Sequence, residues 1–531
     1  MDVKDSAAGT RWPSSGEQPI RAAEVVGALS LATDLGTGQP LEHALRTALL
    51  AVRLGQLAGA SAQELVDAYY VALLHSSGCT SDGHEATQIY GDDIVPRAAF
   101  ALVDSGNPEE VVAFLRSNVG LGRTPELRAV MVEQAIAHGL PAARQTLAMH
   151  CEVAQRFAGW LGFSSGTQAA LEHVFERWDG LGFPGVASGD AIPLPMRLVH
   201  VARDISVFLS AAGPQAARAV VEQRSGGAYE PRLADLAAGS LAAILAELDE
   251  TRMWEQALAI EPAPQIWIAG ERVDTAFAAI AAFSDLKSPW LREHSTGVAD
   301  LAEAAAWRME LPAPSVTLVR RAALAHDLGR VGVSNAIWEK PGGLGFGEWE
   351  RVRLHPHYTE RAFAQSAVLA PVGLLAGAHH ERLDGSGYHR GTRGDALDQA
   401  ARILAAADSY AAMREARPYR PARDAPAAAV ELRREVEAGR LDPDAVNAVL
   451  GAAGHRVRQR PRELPAGLTN RELEVLLVLV HGGSNQEIAE DLGISAKTVG
   501  HHVQHVYQKA GVRSRAAATL WAFEHDLIRI Q

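Results

Sequence analysis

An internal duplication governs the reading of this chain: RWDGLGFPGVASGDAIPL, starting at Arg177, returns as RLDGSGYHRGTRGDALDQ, starting at Arg382, an offset of 205 residues (382 − 177). A repeated unit has to be found before any motif is weighed, because it means that one architecture is built twice. The histidines extend the repeat. His43 to His75 and His294 to His326 both span 32 residues, His150 to Val174 and His355 to His379 both span 24, and Val174 to Arg203 and His379 to Asp408 both span 29. Two copies of one helical domain are therefore predicted, with a longer excursion between His75 and His150 in the first. Their chemistry differs. Where the second copy has Asp327, His379, His380 and Asp408, the first has Ser76, Val174, Phe175 and Arg203, so the first is expected to be metal-free and to serve a sensory or dimerising role. Asp204, one residue beyond Arg203, could restore a single ligand by a small backbone shift.

At 531 residues the chain is too long for one core and predicts roughly three or four domains. Alanine- and leucine-rich segments with helical periodicity, such as Glu472 to Val480, and the scarcity of alternating runs predict an all-α protein. No stretch approaches about 18 uninterrupted apolar residues and the N-terminus has no apolar signal core, so a cytoplasmic protein without a membrane partner is expected. Cys79 and Cys151 are the only cysteines, too few for a disulfide framework, so any metal must use His and carboxylate ligands. A formal charge of −13 excludes a surface that coats nucleic acid, and DNA contact must be local.

The second copy presents His294, His326, Asp327, His355, His379, His380 and Asp408 on or beside apolar segments. One histidine on such a face is usually a packed core residue. Seven such groups left without partners would cost several kcal/mol, so they must satisfy one another or share metal ions. In order, HSTGVA, AHDLGRVG, EKPGGL, LHPHYTERA, HHERLDGSGY, AAADSYAAM and RPYR resemble the HD-GYP subgroup of the HD phosphohydrolases over about 140 residues, from near Ser288 to near Arg420. The resemblance implies one metal on His294, His326, Asp327 and Asp408, a second on Asp327, His355, His379 and His380, and Asp327 as the bridge. Two divalent transition metals are expected, iron, manganese, zinc or nickel, because Trp290 stands where three-metal members carry a Glu. It also implies catalytic roles for Asp327 and Arg330, phosphate contacts from Arg417 and Arg420, and a base-stacking or covering role for Tyr388. Asp384 is expected to shape its own loop. Arg330 replaces the family's Lys and His389 its final Pro. Cyclic di-GMP is the implied substrate. Another phosphoester, or a nucleotide bound without turnover, are the alternatives.

LTNRELEVLLVLVHGGSNQEIAEDLGISAKTVGHHVQHVYQKAGVRSRAAATLWA resembles LuxR-type DNA-binding domains over nearly its whole length. Thr469 and Glu472 form a capping box, a helix spans about Asn485 to Leu492, and Ser495 caps a recognition helix over about Ala496 to Ala510. From Ala496 to Arg515 the chain holds Lys497, Lys509, Arg513 and Arg515 and no acidic residue. Lys497, Thr498, His501 and His505 are the expected base or phosphate contacts, Lys509 a phosphate contact, and Val499, Val503 and Val506 core. The resemblance implies a homodimer on promoter DNA. The expected organisation is a disordered N-terminus (1–20), a degenerate HD-type bundle (21–240), a connecting helical segment (241–285), a metal-binding HD-type bundle (286–454), a linker (455–465) and a four-helix LuxR-type domain (466–531).

Overall fold

The computed structural model describes residues 19–457, 465–525 and 527–528. Of the N-terminus expected to be disordered, 1–20, residues 1–18 lie outside the described residues, as does most of the expected linker, 458–464, while Ile20 is buried and paired with Ile268 rather than disordered. Helices carry the fold. Among the described residues the one strand pairing is a two-residue ribbon, Ile20–Arg21 antiparallel to Trp267–Ile268. The chain divides into two compact units between residues 457 and 458, each with its own apolar core.

In the larger unit the duplication reappears helix by helix. His43–Ala58 and Ala62–Leu74 correspond to His294–Arg308 and Ala313–Ala325, and Ser165–Leu171 and Leu194–Ala212 to Ala370–Ala376 and Gln399–Arg414. Local details repeat as well. Glu42 and Glu293, each just before the first histidine of its copy, both adopt positive φ, 70° and 60°. Asp34 accepts a hydrogen bond from the backbone N–H of Ala44, and Asp285 from that of Ser295, so one carboxylate satisfies an orphan donor at the start of each histidine-bearing helix.

Glycine explains how the histidines meet. Gly329 lies just past the helix Ala313–Ala325, but its φ is not positive. Its requirement is close approach, because a Cβ there would lie 2.1 Å from the His355 carbonyl oxygen; in the first copy a Cβ on Gly78 would lie 1.9 Å from that of His150. The missing side chain lets the turn after Asp327 press against the helix that starts at His355. Gly329→Ala is therefore expected to cost about 1–3 kcal/mol through overpacking and to separate Asp327 from His355, which chemical denaturation and metal uptake would register; wild-type values for both would refute it.

The long excursion of the first copy contains Gly83–Tyr90, Val95–Phe100, Pro108–Asn118 and the 36-residue helix Pro125–Trp160. It docks on the second copy: His84 Nδ1 lies 2.6 Å from Glu339 Oε2, and Asp93 accepts from Lys287 Nζ, Ser334 Oγ and the Asn335 N–H. One expected boundary needs correction. The helix Pro231–Ala246 runs through 240/241, because its buried face of Leu233, Ala237, Leu241 and Ile244 is continuous, so the connecting segment begins after Ala246.

The smaller unit is four helices, Asn470–Val480, Asn485–Leu492, Ala496–Ala510 and Arg515–Glu524, around Val475, Leu476, Leu479, Ile488, Val499 and Val506. Thr469/Glu472 and Ser484/Glu487 both close capping boxes, and Gly493 ends the second helix at positive φ. Val503 packs against this core from a partly buried position.

Candidate functional site

His294 is the first residue of its helix, His326 ends the helix Ala313–Ala325, His355 opens His355–Ala364, and His379 and His380 follow Ala370–Ala376. Asp327 begins the turn after His326, and Asp408 lies mid-way along Gln399–Arg414. These seven side chains converge. His294 Nε2 lies 3.8 Å from Asp327 Oδ2 and 3.5 Å from Asp408 Oδ1, and His326 Nε2 lies 3.7 and 3.8 Å from the same two oxygens. The other Asp327 oxygen, Oδ1, faces His355 Nε2 at 3.5 Å and His379 Nε2 at 3.7 Å. His380 Nδ1 stands 3.8 Å from Asp408 Oδ2. Two groups have ligand spacing, His294 with His326 and Asp327, and His355 with His379 and His380.

The donor chemistry fits a pair of cations. His326, His355 and His379 each place Nδ1 2.6–2.7 Å from the carbonyl three residues earlier, Ala323, Val352 and Ala376, so Nδ1 carries the proton and Nε2 the lone pair. Burial lowers the pKa of His355 to about 4 and of His379 to about 3, leaving both rings neutral at pH 7. Their Nε2 atoms nevertheless sit 3.1 Å apart, two lone pairs facing each other, and His326 Nε2 is buried without a hydrogen-bond partner. Divalent cations would satisfy these nitrogens where protons cannot, one at His326 and another between His355 and His379. Burial opposes charge on Asp327 and Asp408, but the imidazoles around them, with Arg330 beside Asp327, outweigh it and hold both carboxyls below the usual range.

Around this basket, Arg330 stacks its guanidinium 3.7 Å from the centre of the Trp338 ring and places Nη1 3.3 Å from Asp327 Oδ2. Tyr388 faces His380 at 4.7 Å between ring centres, and Asp384 accepts from the Ser386 N–H and hydroxyl, shaping the loop as expected. The arginines, expected at phosphate, are engaged by the protein itself. Arg420 places its guanidinium on the backbone carbonyls of Ala412 and Glu415 at the end of the helix Gln399–Arg414, as a C-terminal cap does. Arg417 is buried and bonds the Trp290 carbonyl at 2.5 Å and Glu415 at 2.7 Å. Glu415 itself escaped the sequence reading, since no motif marks it; its Oε1 lies 2.9 Å from His294 Nδ1.

In the first copy the basket is dismantled. His43 and His75 persist, with His75 Nδ1 2.7 Å from the Ala72 carbonyl, but Val174 and Phe175 fill the place of His379 and His380. Asp204 is not released as a ligand, because Arg203 Nε, Arg224 Nη1 and the Tyr229 hydroxyl all bond to it.

On the recognition helix Ala496–Ala510, Lys497, Thr498, His501 and His505 are exposed. Lys509 is already engaged, its ammonium 2.7 Å from Glu472 Oε2 and 2.9 Å from the Gly467 carbonyl, so it braces the domain. Among the described residues, no helix is long and apolar enough to cross a membrane.

Comparison with known proteins agrees with this geometry. The HD domain family matches residues 280–445, and "Bacterial regulatory proteins, luxR family" matches residues 466–522. The 3′3′-cGAMP-specific phosphodiesterase 3 of Vibrio cholerae is 31% identical over 407 residues, 75% of this chain and 88% of that protein. The cyclic di-GMP phosphodiesterase response regulator RpfG of Xanthomonas campestris is 36% identical over 146 residues, 27% of this chain and 38% of that protein. The response regulator VraR of Staphylococcus saprophyticus is 44% identical over 81 residues, 15% of this chain and 38% of that protein. A crystal structure of a cyclic GMP-AMP-specific phosphodiesterase from V. cholerae superposes with a TM-score of 0.59 at 26% identity, covering 83% of this chain and 99% of that one.

Proposed function

Since the chain belongs to the HD-GYP family of phosphodiesterases and ends in a LuxR-family DNA-binding domain, we propose that its second repeat hydrolyses a cyclic dinucleotide and that the same chain regulates transcription from a promoter. The division of the two Asp327 oxygens between two histidine groups carries the reading. His294, His326, Asp408 and Asp327 would hold one metal, and His355, His379, His380 and Asp327 the other. A bound pair of divalent transition cations supplies the Lewis-acid charge for phosphodiester hydrolysis. The chain's own groups do the rest. Carbonyl-anchored Nδ1 atoms aim the imidazoles inward, Asp327 and Asp408 stay ionised, and Arg330, held flat on Trp338, offers its remaining donors to a phosphate oxygen. Tyr388, 4.7 Å from the His380 ring, would stack on a base or cover the site.

Cyclic di-GMP was the substrate expected from the motifs; the relative aligned over 88% of its own length is named for 3′3′-cGAMP, which moves that nucleotide ahead of it. The test loads the full chain with manganese, iron(II), zinc or nickel and follows both nucleotides by chromatography. Linear dinucleotide from at least one supports the reading, and intact nucleotide with all four metals defeats it.

For the DNA-reading helix, Lys497→Ala is expected to weaken promoter binding and to lower the salt slope by about 1, as for one lost phosphate contact. Lys509→Ala is expected to lower the melting temperature of the domain instead, because it strips Glu472 of its cation. Fluorescence anisotropy across a salt series separates the two; an unchanged slope for Lys497→Ala would remove it from the interface. Gel shifts with and without nucleotide test coupling between the two activities, and equal affinities would rule it out.

A further inference from the structure

Three ligand histidines are oriented by the carbonyl three residues earlier in their own helix or turn, a device that His294 cannot use. The residue before His294, Glu293, has positive φ, and His294 Nδ1 meets a side chain instead of a backbone carbonyl. Glu415 fills that role. Its Oε1 lies 2.9 Å from His294 Nδ1, on the side of the ring opposite Nε2, which faces Asp327 and Asp408. Its Oε2 accepts from Arg417 Nη2 at 2.7 Å, and Arg417 Nη1 donates to the Trp290 carbonyl at 2.5 Å. The chain of contacts thus runs from the loop ahead of His294, through Arg417 and Glu415, back to the imidazole.

We infer that Glu415 is a positioning residue for the metal held by His294, fixing the ring with Nδ1 protonated and Nε2 free, and that Arg417 acts by holding Glu415 rather than by gripping substrate. The inference rests on the metal-binding reading proposed above. The first copy supplies an internal contrast. Ser210 stands at the position of Glu415, at the same offset of 205 (415 − 210), and His43 Nδ1 meets Ser206 Oγ at 2.9 Å instead of a carboxylate. In that copy Asp408 is replaced by Arg203, so the carboxylate behind the first histidine and the carboxylate in front of it are both missing. A carboxylate behind a ligand imidazole makes the ligand more basic as well as orienting it, and removing such a partner typically costs about 10–100-fold in metal affinity.

The test measures metal uptake apart from turnover. Wild type, Glu415→Ala, Glu415→Gln and Arg417→Met are made as full chains, checked for wild-type melting behaviour in chelator, then titrated with manganese by calorimetry and assayed for metal content after gel filtration. Glu415→Ala is expected to keep one tight site and lose about 10–100-fold at the other. Glu415→Gln, which can still accept the Nδ1 hydrogen bond, should recover part of that loss, and Arg417→Met should show a smaller loss at the same site. Excess manganese should restore kcat in Glu415→Ala with KM for the nucleotide unchanged, which a general folding defect would not do. Two sites of wild-type affinity in Glu415→Ala would overturn the assignment while leaving the metal reading intact. A wild type that takes up no manganese, iron, zinc or nickel would bring down both.

Discussion

Asp327→Ala is expected to abolish uptake of both metals and to lower nucleotide hydrolysis by about a thousandfold or more, since a metal pair contributes several kcal/mol of charge stabilisation and each 1.4 kcal/mol is worth about tenfold. Among the described residues no other side chain stands in the same position. Asp327 alone faces His294 and His326 with one oxygen and His355 and His379 with the other, whereas Asp408 approaches His294, His326 and His380. Asp408→Ala should therefore weaken the first metal most and retain more turnover than Asp327→Ala. Promoter binding should be unaffected in either variant when measured without nucleotide, because the DNA-reading helix belongs to a unit with its own core. The measurements are metal content, product formation and a gel shift on the same preparations. Turnover above one-tenth of wild type in Asp327→Ala would mean that the chemistry lies elsewhere.

Much of this basket was legible in the sequence, for a physical reason. Its ligands sit at helix ends or along a helix, so the number of residues between them is set by helix and turn lengths, and two copies of one architecture must repeat those numbers. The 32-residue step from His43 to His75 and from His294 to His326 is one helix, a turn and a second helix in both cases. What the linear chain did not disclose are groups whose partners are distant and aperiodic. Glu415 reaches His294 over 121 residues, and Asp93 reaches Lys287 over 194. The carbonyls that Arg420 caps were equally hidden, because a guanidinium in a phosphate-binding motif and one that closes a helix look alike in sequence. Lys509 belongs with it: its position on a basic helix points to DNA, and its contact with the buried Glu472 is visible only in the fold.

The excursion of the first copy offers the largest expected effect on stability. Lys287 is fully buried, and its ammonium lies 2.7 Å from Asp93 Oδ2. Asp93 Oδ1 accepts from Ser334 Oγ at 2.9 Å and the Asn335 N–H at 2.8 Å, and Arg97 Nη1 stands 3.3 Å from Oδ2. Lys287→Met removes one of two cations from a buried carboxylate, a class of change that costs about 3–5 kcal/mol, with Arg97 holding the loss toward the lower end. Its pH dependence follows from the carboxylate. Burial pushes the Asp93 pKa up, but Lys287 and Arg97 outweigh that and lower it below its ordinary value. In the wild type Asp93 therefore contributes stability that is full above the unfolded carboxylate pKa of about 4 and is lost as pH falls through the lower folded value. Without Lys287 the folded pKa rises, so the variant should be most deficient near pH 7 and should close on the wild type in acid, where protonation removes the unpaired charge. Lys287→Met combined with Asp93→Asn should recover part of the loss at pH 7. Urea denaturation at pH 7 and pH 5 measures all three chains, and a deficit below about 1 kcal/mol at pH 7, or one that grows in acid, would contradict the account. The consequence reaches the metal centre, because Lys287 lies on the segment leading to His294 while Ser334 and Asn335 lie just beyond the Asp327 turn. A carboxylate supplied by the first copy thus clamps both approaches to the ligand basket of its neighbour, and the same variant should bind metal more weakly even where it remains folded.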